Sequence, residues 1–330
     1  MLRSEAKEKA RLSLQAAAYS PAKLALIHTA VAAALSLLVT VINYFLNQNM
    51  GPGGLAGMDT RAVLQTVQMA LSTGMMILTP FWNMGLVYGM LRVSRQQEAQ
   101  PGTLLEGLRR FGPVLRFVLL QGVFYIAVIM TCLNFATMLF TFTPLSNDTY
   151  AQLETIMAGM DGTFMLDTEA AMALLPTLIP AYVIFGILFL VVVIPLFYRF
   201  RMAQFVIMDQ KNTGAFAAMV LSARMMKKHR WELFRMDLSY WWYYLLQVII
   251  VVAAYLDVLL PSFGITLPVS QNVLLFGSFG LYLVLQALFA YTCIAPVQTA
   301  YSCAYDILKA QMPPLPTMPV QSNNPWKTEQ

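Results

Sequence analysis

Six stretches of the chain stay apolar over the length that a helix needs to cross a lipid bilayer, which is about 20 residues. They cover residues 24–46, 67–91, 114–142, 177–197, 238–260 and 273–300. In hydrocarbon the backbone N–H and C=O groups must be paired within the segment, which favours helices. The pattern predicts an all-α polytopic membrane protein with six transmembrane helices. We expect one integral domain over residues 1–310 and a proline-rich, disordered cytoplasmic tail over 311–330.

The composition supports a membrane protein over a soluble one. Of the 330 residues, 58% are hydrophobic and 11% are charged, whereas soluble domains carry about 25% charged residues. The three cysteines, Cys132, Cys293 and Cys303, lie in or beside apolar runs and share no C-x-x-C spacing. We therefore expect buried thiols rather than a disulfide framework or a zinc site.

Positive residues are confined to alternate connections between the runs. The N-terminal tail and the second and fourth connections are basic, and the fourth holds eight Lys and Arg residues from Arg199 to Arg235. The first connection has only Arg61, and the third and fifth have none. Because cytoplasmic loops are enriched in Lys and Arg, we predict a cytoplasmic-membrane protein with both termini in the cytoplasm. The net charge of +5 then reflects topology, and we expect no nucleic-acid partner.

The segment "RMMKKHRWELFRMDLSYWWYYLL", residues 224–246, places basic charge, aromatic rings and apolar residues in that order. Tryptophan and tyrosine favour the membrane interface, so the aromatic block is interpreted as the entry of the fifth span. Before it, five residues follow helical spacing and predict an apolar stripe: Phe216, Met219, Val220, Ala223 and Met226. Either this amphipathic helix lies among anionic headgroups, or it packs on the protein's own cytoplasmic ends. The candidate headgroup contacts are Arg224, Lys227, Lys228, Arg230, Trp241 and Trp242.

Each inward-going span contains a proline, namely Pro80, Pro195 and Pro296. Proline frees the carbonyl four residues earlier and kinks the helix. We infer a threefold pseudo-repeat of surface helix, outward span and kinked inward span; unrelated prolines are the alternative, because proline is common in membrane helices. The repeat predicts a polar cavity lined by the residues three positions after each proline, which are Asn83, Tyr198 and Thr299.

Two further segments carry structural rather than chemical signals. Gly85 and Gly89 form a G-x-x-x-G pattern, which permits close helix contact and favours internal packing here. The connection 143–176 holds five carboxylates and no cation, and we interpret it as a solvated acidic loop outside the membrane. No phosphate-binding loop and no H-E-x-x-H motif occurs, so no cofactor, metal or catalytic residue is predicted.

The fourth connection, "LSARMMKKHRWELFRMDLSYWW", resembles the signature of a bacterial membrane family of unknown function, DUF975. The matching residues are Ser222, Arg224, Met226, Lys227, His229, Leu233, Phe234, Leu238 and Ser239. "EGLRRFGPVLRF" and "APVQTAYSCAYDIL" also look like that family, whereas Lys228 stands where glycine is expected. The resemblance implies a multi-pass bacterial membrane protein and brings no catalytic residues.

Three function classes fit these features. We favour a non-enzymatic membrane protein that binds or moves amphiphilic molecules or assists an envelope complex, with anionic lipids and a membrane protein as its partners. A secondary transporter is the first alternative; it needs a deeply buried carboxylate, and Asp257 lies near the outer end of its run. An intramembrane lipid-modifying enzyme is the second, and it needs polar side chains that converge at one depth.

Overall fold

The long apolar runs fold as helices, which pair their own backbone groups without water. The computed structural model describes residues 2–49, 58–143, 146–147, 151, 179–210, 213–262 and 270–312, and all regular structure in these ranges is helical. The all-α fold is therefore confirmed for this part of the chain. Nearly all of the predicted acidic loop 143–176 and of the tail 311–330 lies outside the described residues.

The helices are as follows, in chain order. They are α1 (Leu2–Ala16), α2 (Pro21–Asn49), α3 (Met58–Ser94), α4 (Phe111–Thr141), α5 (179–188), α6 (Ile194–Phe200), α7 (Ala203–Asp209), α8 (Ala215–Met225), α9 (Arg230–Leu238), α10 (Trp241–Ala254), α11 (Leu256–Ser262), α12 (Gln271–Phe289) and α13 (Ala295–Ala310). A 3₁₀ turn, Pro101–Leu105, and one helical turn, Glu106–Arg109, connect α3 to α4.

Four helical segments are long and apolar enough to cross a membrane: Pro21–Ile42, Phe111–Thr141, Ile179–Asp209 and Val273–Ala310. Helices α9 and α10 together make a fifth if the 58° bend between them belongs to one broken span. The chain is thus compatible with a multi-pass membrane protein. The predicted span 67–91 lies within the 37-residue helix α3, which is not among these segments, and its sequence includes polar residues such as Gln68, Thr73 and Asn83. Four or five of the six predicted spans are thus supported.

Two predicted segments are broken where the sequence suggested continuity. The basic stretch before the fifth run is two helices, α8 and α9, separated by a turn at 226–229. The fifth run itself, predicted over 238–260, divides into α10 and α11 at Tyr255. At Tyr255 the apolar run continues on both sides of the break, so periodicity alone did not reveal it. At 226–229 the residues are Met-Lys-Lys-His, and the apolar stripe of α8 ends there.

Backbone distortions accompany two of the three prolines at which the sequence predicted a kink. Five-residue π-helical turns, Phe189–Val193 and Ala290–Ile294, directly precede α6 and α13. Pro195 and Pro296 are the second residues of those helices. A π turn widens the helix and accommodates a carbonyl that proline leaves unpaired. Pro80, in contrast, lies inside the continuous helix α3.

One end of the bundle, here called the basic end, is tied together by an ion-pair cluster around Arg95. Arg95 follows α3 and contacts Asp209, the last residue of α7, with Nη1 to Oδ1 at 2.6 Å. Its Nη2 lies 2.7 Å from Asp306 Oδ1 on α13. Lys309 Nζ lies 2.5 Å from Asp209 Oδ2, and the Tyr305 hydroxyl donates to the same oxygen at 2.9 Å. The cluster thereby joins the ends of three helices.

Arg95 keeps its charge in this cluster. Burial by itself lowers the pKa of the guanidinium, but hydrogen bonds to Asp209 and Asp306 outweigh this and raise the pKa above its usual value. Charge-assisted bonds of this kind are shorter and stronger than neutral ones. The same end is packed by α1, whose Leu2, Ala6 and Ala10 are buried and which contacts α13 and α3.

Candidate functional site

A groove of about 670 Å³ opens at the basic end, between α4, α6 and α8. Its apolar floor is formed by Leu120, Phe124, Phe200, Phe216, Met219, Val220 and Ala223. Its cations are Arg199, Arg224, Lys227 and Arg230. The lining thus has two chemically distinct parts, an apolar one and a strongly basic one, and the described part of the chain contributes no carboxylate to it.

The periodicity of α8 supplies most of the floor. Phe216, Met219, Val220 and Ala223 follow i, i+3, i+4, i+7 spacing and therefore share one helix face. Met219 is 6% exposed, whereas Phe216 is 71% exposed. The face consequently runs from the packed interior to the open mouth of the groove. Helix α8 packs on α4, α6 and α7. Its buried side chains therefore contact the protein itself, which is the second of the two arrangements considered for this helix.

The C-terminal end of α8 positions the basic part of the groove lining. The Ser222 hydroxyl donates to the Arg199 carbonyl oxygen at 3.1 Å, which fixes α8 against α6. Arg224 lies in the last turn of α8, and a turn at 226–229 separates it from Arg230, the first residue of α9. The four cations therefore come from α6, α8, the turn at 226–229 and α9, and the fold brings them to one groove.

These cations have no anionic partner within the described part of the chain. No ion pair joins Arg199, Arg224, Lys227 or Arg230 to a carboxylate there. The Nε of Arg230 is buried and has no hydrogen-bond partner among those residues. A buried guanidinium N–H without a partner is costly, so this N–H is available to an acceptor from outside the described residues.

The structure gathers three of the six predicted headgroup contacts, Arg224, Lys227 and Arg230, in this groove. Lys228 is exposed but does not line it. Trp241 and Trp242 begin α10 and are 61% and 38% exposed. Sequence reasoning missed Arg199, because it lies on a different helix at the end of an apolar run and no local spacing relates it to the others.

A second polar cluster surrounds Asp237, which is 8% exposed. Arg201 Nη1 lies 2.6 Å from Asp237 Oδ2, and the Tyr198 hydroxyl donates to the same oxygen at 2.5 Å. The Tyr301 hydroxyl donates to the other carboxylate oxygen. The Arg201 guanidinium also lies over the Tyr301 ring, 4.5 Å from its centroid. Asp237 thus links α6, α9 and α13.

The three predicted cavity residues have different surroundings. Asn83 lines a polar cavity, Tyr198 belongs to the Asp237 cluster, and Thr299 is fully buried with its hydroxyl 3.6 Å from Met90 Sδ. Pro80, Pro195 and Pro296 do not line that cavity. The π turns before Pro195 and Pro296 have no counterpart before Pro80, so equal spacing from the proline does not give an equal side-chain direction.

Comparison with known proteins gives one match. Residues 1–267 match the model of a family described as a protein of unknown function, DUF975. This confirms the resemblance seen in the fourth connection. No curated protein and no solved structure matches the chain. The matched region contains every residue of the basic groove.

Proposed function

The chain belongs to the DUF975 family, and we propose that this member is an integral membrane protein that binds an anionic phospholipid in its basic groove. One observation supports this proposal above all others. Four cations without an anionic partner in the described part of the chain border an apolar floor within a single groove of about 670 Å³. A phosphate headgroup needs the first feature and an acyl chain needs the second.

The arrangement suits an amphiphile better than a free anion. Phe216 and Leu120 lie on the floor and are 71% and 36% exposed, so the apolar part continues to the outer surface of the bundle. An acyl chain could follow it into the surrounding hydrocarbon while the phosphate stays among the arginines. A soluble anion would use the cations and leave the apolar part empty. The site therefore favours a ligand that is already in the membrane.

The proposal includes an orientation. We propose six spans, with α3 as the second, and place the basic end in the cytoplasm. The confinement of cations to alternate connections supports this orientation, and so does the grouping of Arg95, Arg199 and Arg224 near the ends of α3, α6 and α8. The anionic cytoplasmic leaflet would then supply the ligand.

Cysteine labelling in spheroplasts tests this orientation. We expect Asn147→Cys to react with a membrane-impermeant thiol reagent and Lys228→Cys to react only after lysis. Both positions are exposed, whereas the three natural cysteines are buried and give a low background. Labelling of Lys228→Cys in intact spheroplasts, with protection of Asn147→Cys, would contradict the proposed topology.

Lipid titration of the purified protein tests the groove. Each cation near a membrane surface contributes about 1 kcal/mol to the attraction of anionic lipid. We therefore expect the triple variant Arg224→Gln/Lys227→Gln/Arg230→Gln to bind phosphatidylglycerol about 100-fold more weakly, since about 3 kcal/mol corresponds to two decades. Native mass spectrometry of stepwise titrations gives the affinities, and phosphatidylcholine serves as the neutral comparison.

Two neighbouring lysines provide a matched control. Lys227 lines the groove and Lys228 does not, although both are exposed. We expect Lys227→Gln to weaken binding by roughly fivefold and Lys228→Gln to leave it unchanged. Equal losses in the two single variants would show that the charge acts from the surface as a whole, and equal affinity for phosphatidylcholine would exclude an anion site.

A further inference from the structure

A cavity of about 430 Å³ lies between α2, α3 and α10, and α7, α12 and α13 complete it. Its polar lining is dominated by carboxamides, with Asn83, Gln204, Gln247, Gln286 and Gln298 contributed by five different helices. Leu86, Val87 and Ile294 form an apolar wall. A cavity of this size with a few convergent polar groups is typical of small-molecule sites.

His28 is a buried polar side chain of this cavity. It is 7% exposed, and Trp82 holds it in place by stacking at 5.4 Å between ring centroids with 9° between the planes. The Trp82 indole N–H also donates to the His28 carbonyl oxygen at 2.9 Å. The imidazole therefore has a fixed orientation before any ligand arrives.

Several polar atoms here lack a partner. Neither ring nitrogen of His28 forms a hydrogen bond within the described residues, and the same holds for Gln286 Oε1. The Asn83 side chain and the Trp82 backbone both approach the imidazole without reaching hydrogen-bond geometry. Native proteins leave few buried polar atoms unpaired, and each one that remains needs an explanation, such as strain, an ordered water or a bound ligand.

We propose that this cavity binds a small uncharged molecule that carries several hydroxyl groups. A neutral imidazole offers one donor and one acceptor, and each carboxamide offers both, which a hydroxyl group complements because it donates and accepts. Among the described residues, no Lys, Arg, Asp or Glu lines the cavity. A charged ligand would therefore lose its hydration without gaining a counter-charge. The site shares no residue with the basic groove and does not depend on the phospholipid proposal.

Saturation-transfer NMR on the full chain in a sugar-free detergent tests this proposal. Glucose, glucosamine and glucose-6-phosphate serve as probes because they share one ring and differ in charge. We expect transfer to glucose and none above background to the two charged sugars. The variants His28→Phe, which retains a ring for Trp82 to stack on, and Gln286→Leu should both lose the glucose signal.

Asn134→Leu is the matched control, since Asn134 is an exposed amide on α4 that does not line the cavity; it should retain the signal. Thermal unfolding of each variant confirms that it is folded, and Gln286→Leu alone suffices if His28→Phe does not fold. The proposal is overturned by absence of transfer to glucose in the folded natural protein, by equal transfer in Gln286→Leu, or by preference for a charged sugar.

Discussion

Replacing Gly85 by alanine is expected to destabilise the protein by about 3 kcal/mol, the upper part of the usual range for overpacking a core. A Cβ atom at this position would lie 1.8 Å from the Leu104 carbonyl oxygen and 2.6 Å from its carbonyl carbon. These atoms belong to the backbone and cannot rotate away. Helix α3 and the Pro101–Leu105 turn would therefore have to separate. Gly107 approaches α3 from the other side of the same contact, since a Cβ atom there would lie 2.0 Å from the Phe81 carbonyl oxygen.

Gly74 provides the control in the same helix. A Cβ atom at Gly74 has no atom within 4 Å, so Gly74→Ala should be neutral or stabilising by up to about 1 kcal/mol, as expected for a helix interior. The buried thiols Cys132, Cys293 and Cys303 allow unfolding to be followed with a thiol-reactive fluorogenic dye during heating. We expect the midpoint to fall for Gly85→Ala and Gly107→Ala only. A fall of the same size for Gly74→Ala would refute close backbone contact as the cause.

The second large effect is expected for Asp237→Asn, which should cost about 3 kcal/mol. The substitution keeps the shape of the side chain and removes the charge that compensates Arg201, whose side chain is 15% exposed. A buried guanidinium without a counter-charge is strongly unfavourable. The hydroxyls of Tyr198 and Tyr301 also lose their charged acceptor. The same dye measurement should show a midpoint lower by roughly 5 °C.

Asp257→Asn is the matched control, because Asp257 forms no ion pair in the described part of the chain and lies on the short helix α11. We expect its midpoint to stay within about 2 °C of the natural protein. In addition, the double variant Arg201→Met/Asp237→Leu should recover most of the lost stability, since replacing both members of a buried pair removes the uncompensated charge. A double variant as unstable as Asp237→Asn would contradict this explanation.

The features that the sequence predicted correctly are those that depend on local pattern. Run length and hydrophobicity were sufficient for the helical class and for the segments Phe111–Thr141 and Val273–Ala310. The G-x-x-x-G pattern predicted close internal contact at Gly85, and this is confirmed by the approach of Leu104. In each case the controlling interactions lie within one helix or between the backbones of neighbouring segments.

The features that were missed depend on contacts between distant segments. Arg95 and Asp306 are 211 residues apart, and no periodicity within either helix relates them. Arg199 joins the groove cations only because Ser222 holds α8 against α6. Four amides of the polar cavity lie within apolar runs of the sequence, but their convergence around His28 depends on the packing of six helices. Sequence patterns identify helix faces, and packing decides which faces meet.

Photo-crosslinking in membranes tests most directly whether an anionic phospholipid occupies the basic groove. Phosphatidylglycerol with a diazirine in its acyl chain is incorporated into membranes that contain the protein, and adducts are mapped by peptide mass spectrometry. We predict adducts concentrated at Phe124, Phe216 and Val220, and their loss in Arg224→Gln/Lys227→Gln/Arg230→Gln. Val284 and Leu288 of α12, both 58% exposed, serve as the comparison outside the groove. Phospholipid binding in the groove would be contradicted if adducts were equally dense at these two residues and unchanged in the triple variant.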